Sequence, residues 1–166
     1  YRGRLMKTKD DAFLITFNSA VAAVSFAADV QRILPVHQSQ WPDDHRIRFR
    51  IGVNLGEVIV EGDDVHGDGV NVAARLEAVA DPGGILITGN AYEQVRRRMD
   101  QVAFEDVGPQ DVPDYPGSIP AYRVLLDPDI VDQNVPRASK SARWQVVFGL
   151  AVLVVIAGAA LWTLQS

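Results

Sequence analysis

The chain has 166 residues, 48% hydrophobic and 22% charged, with a formal net charge of −5. That length favours one globular domain with attachments, and the acidic balance argues against a nucleic-acid binder, which carries a basic face. With no cysteine, neither a disulfide nor a thiolate metal site can form.

The stretch "GRLMKTKDDAFLITF", residues 3–17, reads as two short strands around a polar turn at Lys9 to Asp11. Opening on Tyr1 straight into strand-like sequence, the chain reads as part of a longer one. Asn18 can cap a helix over Ser19 to Leu34, rich in Ala and Val. A loop with Pro35 and Pro42 leads to "RIRFRIGVN", residues 46–54, in which Ile47, Phe49, Ile51 and Val53 alternate with Arg46, Arg48 and Arg50. "LGE" is read as a turn into a second strand, "EVIVE", so that the two make a hairpin. A helix follows at Gly69 to Val79, stopped by "DPGG". Its Asn71 and Arg75 are four residues apart and share one face, while Val72, Leu76 and Val79 form an apolar stripe. "ILIT" reads as a buried strand, Ala91 to Met99 as a helix, and Val102 to Glu105 and Ala121 to Leu126 as two more strands. The expected architecture over residues 1–126 is an α+β sandwich with helices on a mostly antiparallel sheet.

Residues 127–143 form a polar linker with Pro128 and Pro136. After it, "WQVVFGLAVLVVIAGAALWTLQS" carries no charge, and Trp144 and Trp162 sit where interfacial aromatics belong. About 20 apolar residues span a bilayer, so a single transmembrane helix is expected over 144–164. Arg137, Lys140 and Arg143 precede it, which by the positive-inside rule puts the domain in the cytoplasm. No G-x-G-x-x-G follows a strand and no phosphate-binding P-loop motif occurs. His37, His45 and His66 share no metal-like spacing.

Three stretches together resemble the class III nucleotidyl cyclase catalytic domain, in its bacterial membrane-anchored form. "RIRFRIGVNLGEVIVEGDDVHGDGVNVAARLEAVADPGGILIT" is similar to that family's hairpin, substrate loop, catalytic helix and following strand. "GRLMKTKDDAFLITF" is similar to its metal-bearing hairpin, and "VAFEDVG" with "AYRVLLD" to its closing strands. The resemblance implies a ferredoxin-like sandwich over residues 1–126 and the conversion of ATP to 3′,5′-cyclic AMP and pyrophosphate for intracellular signalling. It also implies a homodimer with shared sites, in which metal-binding and base-reading residues of one chain face the Asn and Arg of the other. The place implied is the bacterial plasma membrane.

Residue by residue, the resemblance implies two Mg²⁺ or Mn²⁺ ions per site, held by two aspartates. Asp11 matches the second, and the first would precede Tyr1. Asn71 matches a ribose-orienting asparagine, and Arg75 an arginine that stabilises charge on the α-phosphate, a task suited to a planar guanidinium fork. Lys7 and Asp64 match the two purine-reading positions. Lysine only donates and carboxylate only accepts, which complements the N1 acceptor and N6 amino donor of adenine.

Two departures stand against this. Asp10, Asp11 and Ala12 occupy the metal turn where the family has Gly-Asp-Gly. Val112-Pro113 stands where the family has a triphosphate-gripping lysine, and no Lys or Arg occurs between Arg98 and Arg123. Arg123 is then a candidate for that cation. The departures keep open a second reading, a catalytically impaired cyclase-like module that dimerises, binds nucleotide or regulates a partner. The Gly-Gly-(Asp/Glu)-Glu-Phe signature of diguanylate cyclases is absent.

Overall fold

The computed structural model describes residues 1–6, 12–62, 64–100, 102–112 and 115–126, and the backbone of 152–157; at 60, 61 and 64 only the backbone is described. Strand β1 (Arg4–Leu5) and strand β2 (Ala12–Phe17) form an antiparallel hairpin in which Arg4 faces Thr16 and Leu5 faces Ile15. Met6 continues the ladder by donating its backbone N–H to the Leu14 carbonyl at 2.8 Å. The turn of this hairpin, with Lys7 and Asp11, lies outside the described residues.

Helix α1 (Ala20–His37) starts at Ser19, whose hydroxyl accepts from the backbone N–H of Ala22 at 3.5 Å. The cap is thus one residue later than expected from Asn18. The helix also runs through Pro35 rather than stopping before it. Its last turn is closed by Gln38, whose backbone N–H and side-chain amide both donate to the Leu34 carbonyl, at 3.1 and 3.3 Å. Ala20, Ala23, Val24, Ala27 and Ala28 are buried, a helical stripe of small residues that lets α1 lie close to the sheet.

Strand β3 (Arg50–Leu55) is followed by the short strands β4 (Ile59–Glu61) and β5 (Asp64–His66), then by α2 (Asp68–Val79) and β6 (Ile85–Thr88). Helix α3 (Gly89–Val95), β7 (Val102–Asp111) and β8 (Ser118–Leu126) complete the domain, and β9 (Val152–Ala157) comes from the C-terminal stretch. The main sheet has the order β1-β2-β9-β3-β6-β8-β7. Three neighbouring pairs are antiparallel (β1·β2, β6·β8, β7·β8) and three parallel (β2·β9, β3·β9, β3·β6). The sheet is therefore mixed, not mostly antiparallel.

Two expectations need correction. The strand after "LGE" does not pair with β3. Instead β4 pairs with β5 in a separate ribbon with Ile59 opposite His66, because "DVH" is itself a strand and takes the hydrogen bonds. The apolar C-terminal stretch is not a helix at 152–157, where it forms β9 between β2 and β3. Val152, Val154, Val155 and Ile156 are β-branched, and an apolar run fits a doubly buried parallel strand as well as it fits a membrane helix. Among the described residues no helix is long and apolar enough to cross a membrane. The rest of 144–164 lies outside them, as does the linker.

Helices α1 and α3 cover one face of the sheet, where Ile51, Val53, Ile85, Ile87 and Val95 are at most 1% exposed. Helix α2 covers the other face, packing Leu76 and Ala80 on Leu86 and Ala121, and Ala73 beside Leu14 and Val58. Both faces of β3 are thus buried. Gly52 is the contact point: a Cβ there would lie 2.2 Å from the Ala73 carbonyl oxygen and 2.6 Å from the Glu77 nitrogen. Only a glycine permits this approach. Gly52→Ala should therefore destabilise the domain by about 1–3 kcal/mol, the usual range for overpacking. Gly89→Ala, whose Cβ would find Pro120 at an ordinary 3.6 Å, should stay within about 0.5 kcal/mol. Urea unfolding of both variants checks the difference.

Candidate active site on the α2 helix

Helix α2 is built from good helix formers, "DGVNVAARLEAV", with Asp68 in its first turn where the helix dipole favours an acid. It starts from Gly67 at φ 131°, a conformation in which glycine is at ease, and stops at Ala80 ahead of Pro82. The side turned to the sheet is Gly69, Ala73, Leu76 and Glu77, all buried. Of the expected apolar stripe, Leu76 is fully buried and Val79 packs at the edge of its cluster, while Val72 is only half-buried. Small residues, not large ones, form the contact line.

At about 100° per residue, Asn71 and Arg75 lie roughly 160° around the helix from Ala73, on opposite flanks of the outermost line. Asn71 is exposed and makes no hydrogen bond among the described residues. Arg75 is half-buried and has no carboxylate partner among them; its guanidinium lies over the ring of Tyr115, 5.6 Å from the centroid. An amide and a guanidinium therefore share one face, turned away from their own sheet.

Three buried contacts set where that face sits. The Asn54 amide donates to the Gly69 carbonyl at 3.1 Å, and the Thr88 hydroxyl donates to the Asn54 side-chain oxygen at 2.9 Å. With the Gly52 contact, these tie the first turns of α2 to β3 and β6. Gly69 is itself packed against the loop before β4, since a Cβ there would lie 3.0 Å from the Glu57 carbonyl.

The β4–β5 ribbon leads directly into α2, and its register sets the backbone of Asp64 opposite Glu61. Arg4 of β1 donates to the Gly62 carbonyl at 2.8 Å. That bond brings β1 against the ribbon that carries Asp64. The side chains of Lys7 and Asp64 lie outside the description, as does Asp11. Along the sheet, Ala12 is level with Arg50 through β9, whereas Asn54 holds the start of α2. Four residues of strand separate those levels, about 13 Å, besides two strand spacings sideways. Ala12 and the first turn of α2 therefore stand apart within one chain.

No group of three or more His, Asp or Glu side chains that could hold a metal occurs among the described residues. The candidate cation Arg123 is already engaged, at 2.8 Å from Glu105 and 3.3 Å from Asp81. Of the Val112-Pro113 step that matches the family's lysine step, Pro113 lies outside the described residues. Sequence reading missed Gly52, Asn54, Thr88, Tyr115 and Arg4. Of these, only Gly52 gave a usable signal, as a glycine inside a strand.

Residues 6–125 match the family described as adenylate and guanylate cyclase catalytic domain. The chain is 46% identical over 112 residues to "Putative adenylate cyclase 3" of Rhizobium meliloti (strain 1021), covering 68% of this chain but only 19% of that protein. Its fold is similar to the adenylate/guanylate cyclase/hydrolase crystal structure from Silicibacter pomeroyi, with a TM-score of 0.69, 34% identity, and coverage of 76% of this chain and 74% of that one. It is also similar to the adenylyl cyclase CyaB from P. aeruginosa, with a TM-score of 0.53, 26% identity, and coverage of 65% and 59% respectively. Residues 6–125 thus belong to the class III adenylate and guanylate cyclase catalytic domain family.

Proposed function

We propose that the domain is an adenylate cyclase, forming 3′,5′-cyclic AMP and pyrophosphate from ATP at sites shared by two chains. The observation that carries this reading is the outward face of α2, where Asn71 and Arg75 have no hydrogen-bonding or carboxylate partner among the described residues. A polar face held rigidly from behind and left open in front suits a ligand brought by a second chain.

In the reaction the ribose 3′-oxygen attacks the α-phosphorus. A new O–P bond closes the ring, the bond to the bridging oxygen breaks, and pyrophosphate leaves with that electron pair. The proton of the 3′-hydroxyl passes to water. Asn71 orients the ribose, and the Arg75 guanidinium meets oxygens of the α-phosphate as negative charge gathers there. Divalent metal, when bound, supplies further charge neutralisation. Asp11 is the residue proposed to hold it. Arg75→Ala should lower kcat by about 10²–10³, the range for removing one such donor, with a smaller change in KM.

The partition of residues between chains differs from the expectation that base-reading residues face Asn71 and Arg75 across the interface. Asp64 lies on the ribbon that runs into α2, and Arg4 ties the strand before Lys7 to that ribbon. We therefore assign Lys7, Asp64, Asn71 and Arg75 of one chain to the same site, with Asp11 supplied by the other. Mixing full-length Asp11→Ala and Arg75→Ala proteins should then restore part of the cyclic AMP formation, through one intact composite site per heterodimer. Mixing Asp64→Ala with Arg75→Ala should add nothing to the cyclic AMP formation of the Asp64→Ala protein alone. Recovery in the second mixture would overturn the partition, and no recovery in the first would overturn the shared site.

Preference for ATP over GTP rests on the Lys7 and Asp64 pair. A buried donor or acceptor left unpaired costs roughly 1–3 kcal/mol, enough to separate the two bases several-fold or more. Replacing Lys7 by Glu together with Asp64 by a small neutral residue should erode that preference, measured as the ratio of kcat/KM values. Equal turnover of GTP by the unsubstituted protein would contradict it.

One observation favours the impaired module as a second reading. Arg123 is committed to Glu105 and Asp81, so it is not a ready substitute for the lysine absent from the loop before β8. Loss of one ion pair to a partly buried triphosphate corresponds to roughly ten- to a thousandfold in kcat/KM. Cyclic AMP formation by the full-length protein with Mg²⁺ or Mn²⁺ separates the readings, since the module would form none.

A further inference from the structure

We propose that Tyr115 is a positioning residue for Arg75, holding the guanidinium over its ring so that the in-plane donors stay directed outward to a phosphate. The proposal rests on the cyclase reading of α2. Arg75 has no carboxylate partner among the described residues, and its contact in the structure is the Tyr115 ring, 5.6 Å from the centroid. That distance is within the reach of cation–π attraction. The kind of contact matters. A carboxylate would occupy the same N–H groups that a phosphate needs, whereas attraction to a ring face makes no conventional hydrogen bond with them.

The ring is itself well placed to act as a support. It stands in the connection between β7 and β8, after Val112, which is 7% exposed and anchors the connection to the core. Pro116 follows it, restricting Tyr115 to extended backbone, and Gly117 turns the chain at φ 102° into β8. Tyr115 is 36% exposed, with no other ring beside it among the described residues. In this protein the connection that lacks a basic residue between Arg98 and Arg123 thus bears on the active-site face through an aromatic. A long, flexible arginine on the outer line of a helix otherwise samples many rotamers, and a supporting ring restricts it before substrate arrives.

The test uses the full-length protein with Tyr115→Leu and Tyr115→Phe, each alone and combined with Arg75→Ala, together with selective ¹⁵N labelling of arginine side chains. At an exposed site the contact is equivalent to about two- to fivefold in an equilibrium or rate. Tyr115→Leu should therefore lower kcat by about that factor with KM nearly unchanged, and Tyr115→Phe, which keeps the ring, should retain most of the turnover. In the Arg75→Ala background, Tyr115→Leu should have no further effect. Without any substrate, the Arg75 side-chain N–H resonance should show a ring-current shift that persists in Tyr115→Phe and disappears in Tyr115→Leu. Absence of that shift in the unsubstituted protein overturns the contact. A shift that is present while Tyr115→Leu turns over normally, or lowers kcat equally with and without Arg75, overturns the positioning role and leaves the cyclase reading standing. An unsubstituted protein that forms no cyclic nucleotide overturns both, and the shift identifies that case separately.

Discussion

The active-site face depends on the close approach of α2 to β3 at Gly52. The helix backbone there comes within 2.2 Å of where a side-chain carbon would stand. Asn54 and Thr88 then fasten the start of the helix by two buried hydrogen bonds, of 3.1 and 2.9 Å. Buried polar networks of this kind hold a position well because each partner would be left unsatisfied by a shift. The consequence for function is geometric. With its inner line fixed by Gly69, Ala73 and Leu76, α2 turns Asn71 and Arg75 outward, away from the sheet that carries them. In the proposed reading a second chain supplies the opposing wall.

The same sheet imposes a second constraint. Between β2 and β3 lies a slot in which a strand pairs on both sides, over six residues each, and β9 occupies it in this structure. An empty slot would leave two rows of backbone donors and acceptors unpaired in the middle of a buried sheet. Some strand must fill it in any folded form of the domain. Were residues 152–157 to cross a membrane instead, another segment would have to take the slot. The apolar character of "VLVVIA" is compatible with both environments, which is why its hydropathy alone does not choose between them.

This ambiguity marks the limit of what the sequence made legible. The α2 motif was readable because Asn71, Arg75 and the surrounding "GDGVNVAARLE" combine helical spacing with chemistry specific to one family. Element types from α1 to β8 were mostly readable from period alone, with boundaries ranging from exact to six residues off. The β3 alternation gave Ile51 and Val53 correctly as core, but treated the other side of the strand as outward because Arg46, Arg48 and Arg50 lie there. Two residues later α2 arrives and buries Gly52 and Asn54 as well. Only the tertiary packing shows that switch. The β4–β5 ribbon was missed for a different reason: Asp and His are weak strand formers, so "DVH" looked like loop. The Tyr115 contact joins positions 40 residues apart and left no local trace in either segment.

Connectivity also decides how the site divides between chains. The ribbon bearing Asp64 runs into α2, and Arg4 bonds the first hairpin to that ribbon, which is the connectivity behind the proposed assignment of Lys7, Asp64, Asn71 and Arg75 to one site. The claim that catalysis needs two chains is tested most directly by the specific activity of the full-length protein across a range of protein concentrations, with the dimer fraction measured by sedimentation in parallel. The account predicts that specific activity rises with concentration in proportion to the dimer fraction and falls toward zero where monomer prevails. Specific activity that is independent of concentration where the monomer dominates would contradict it.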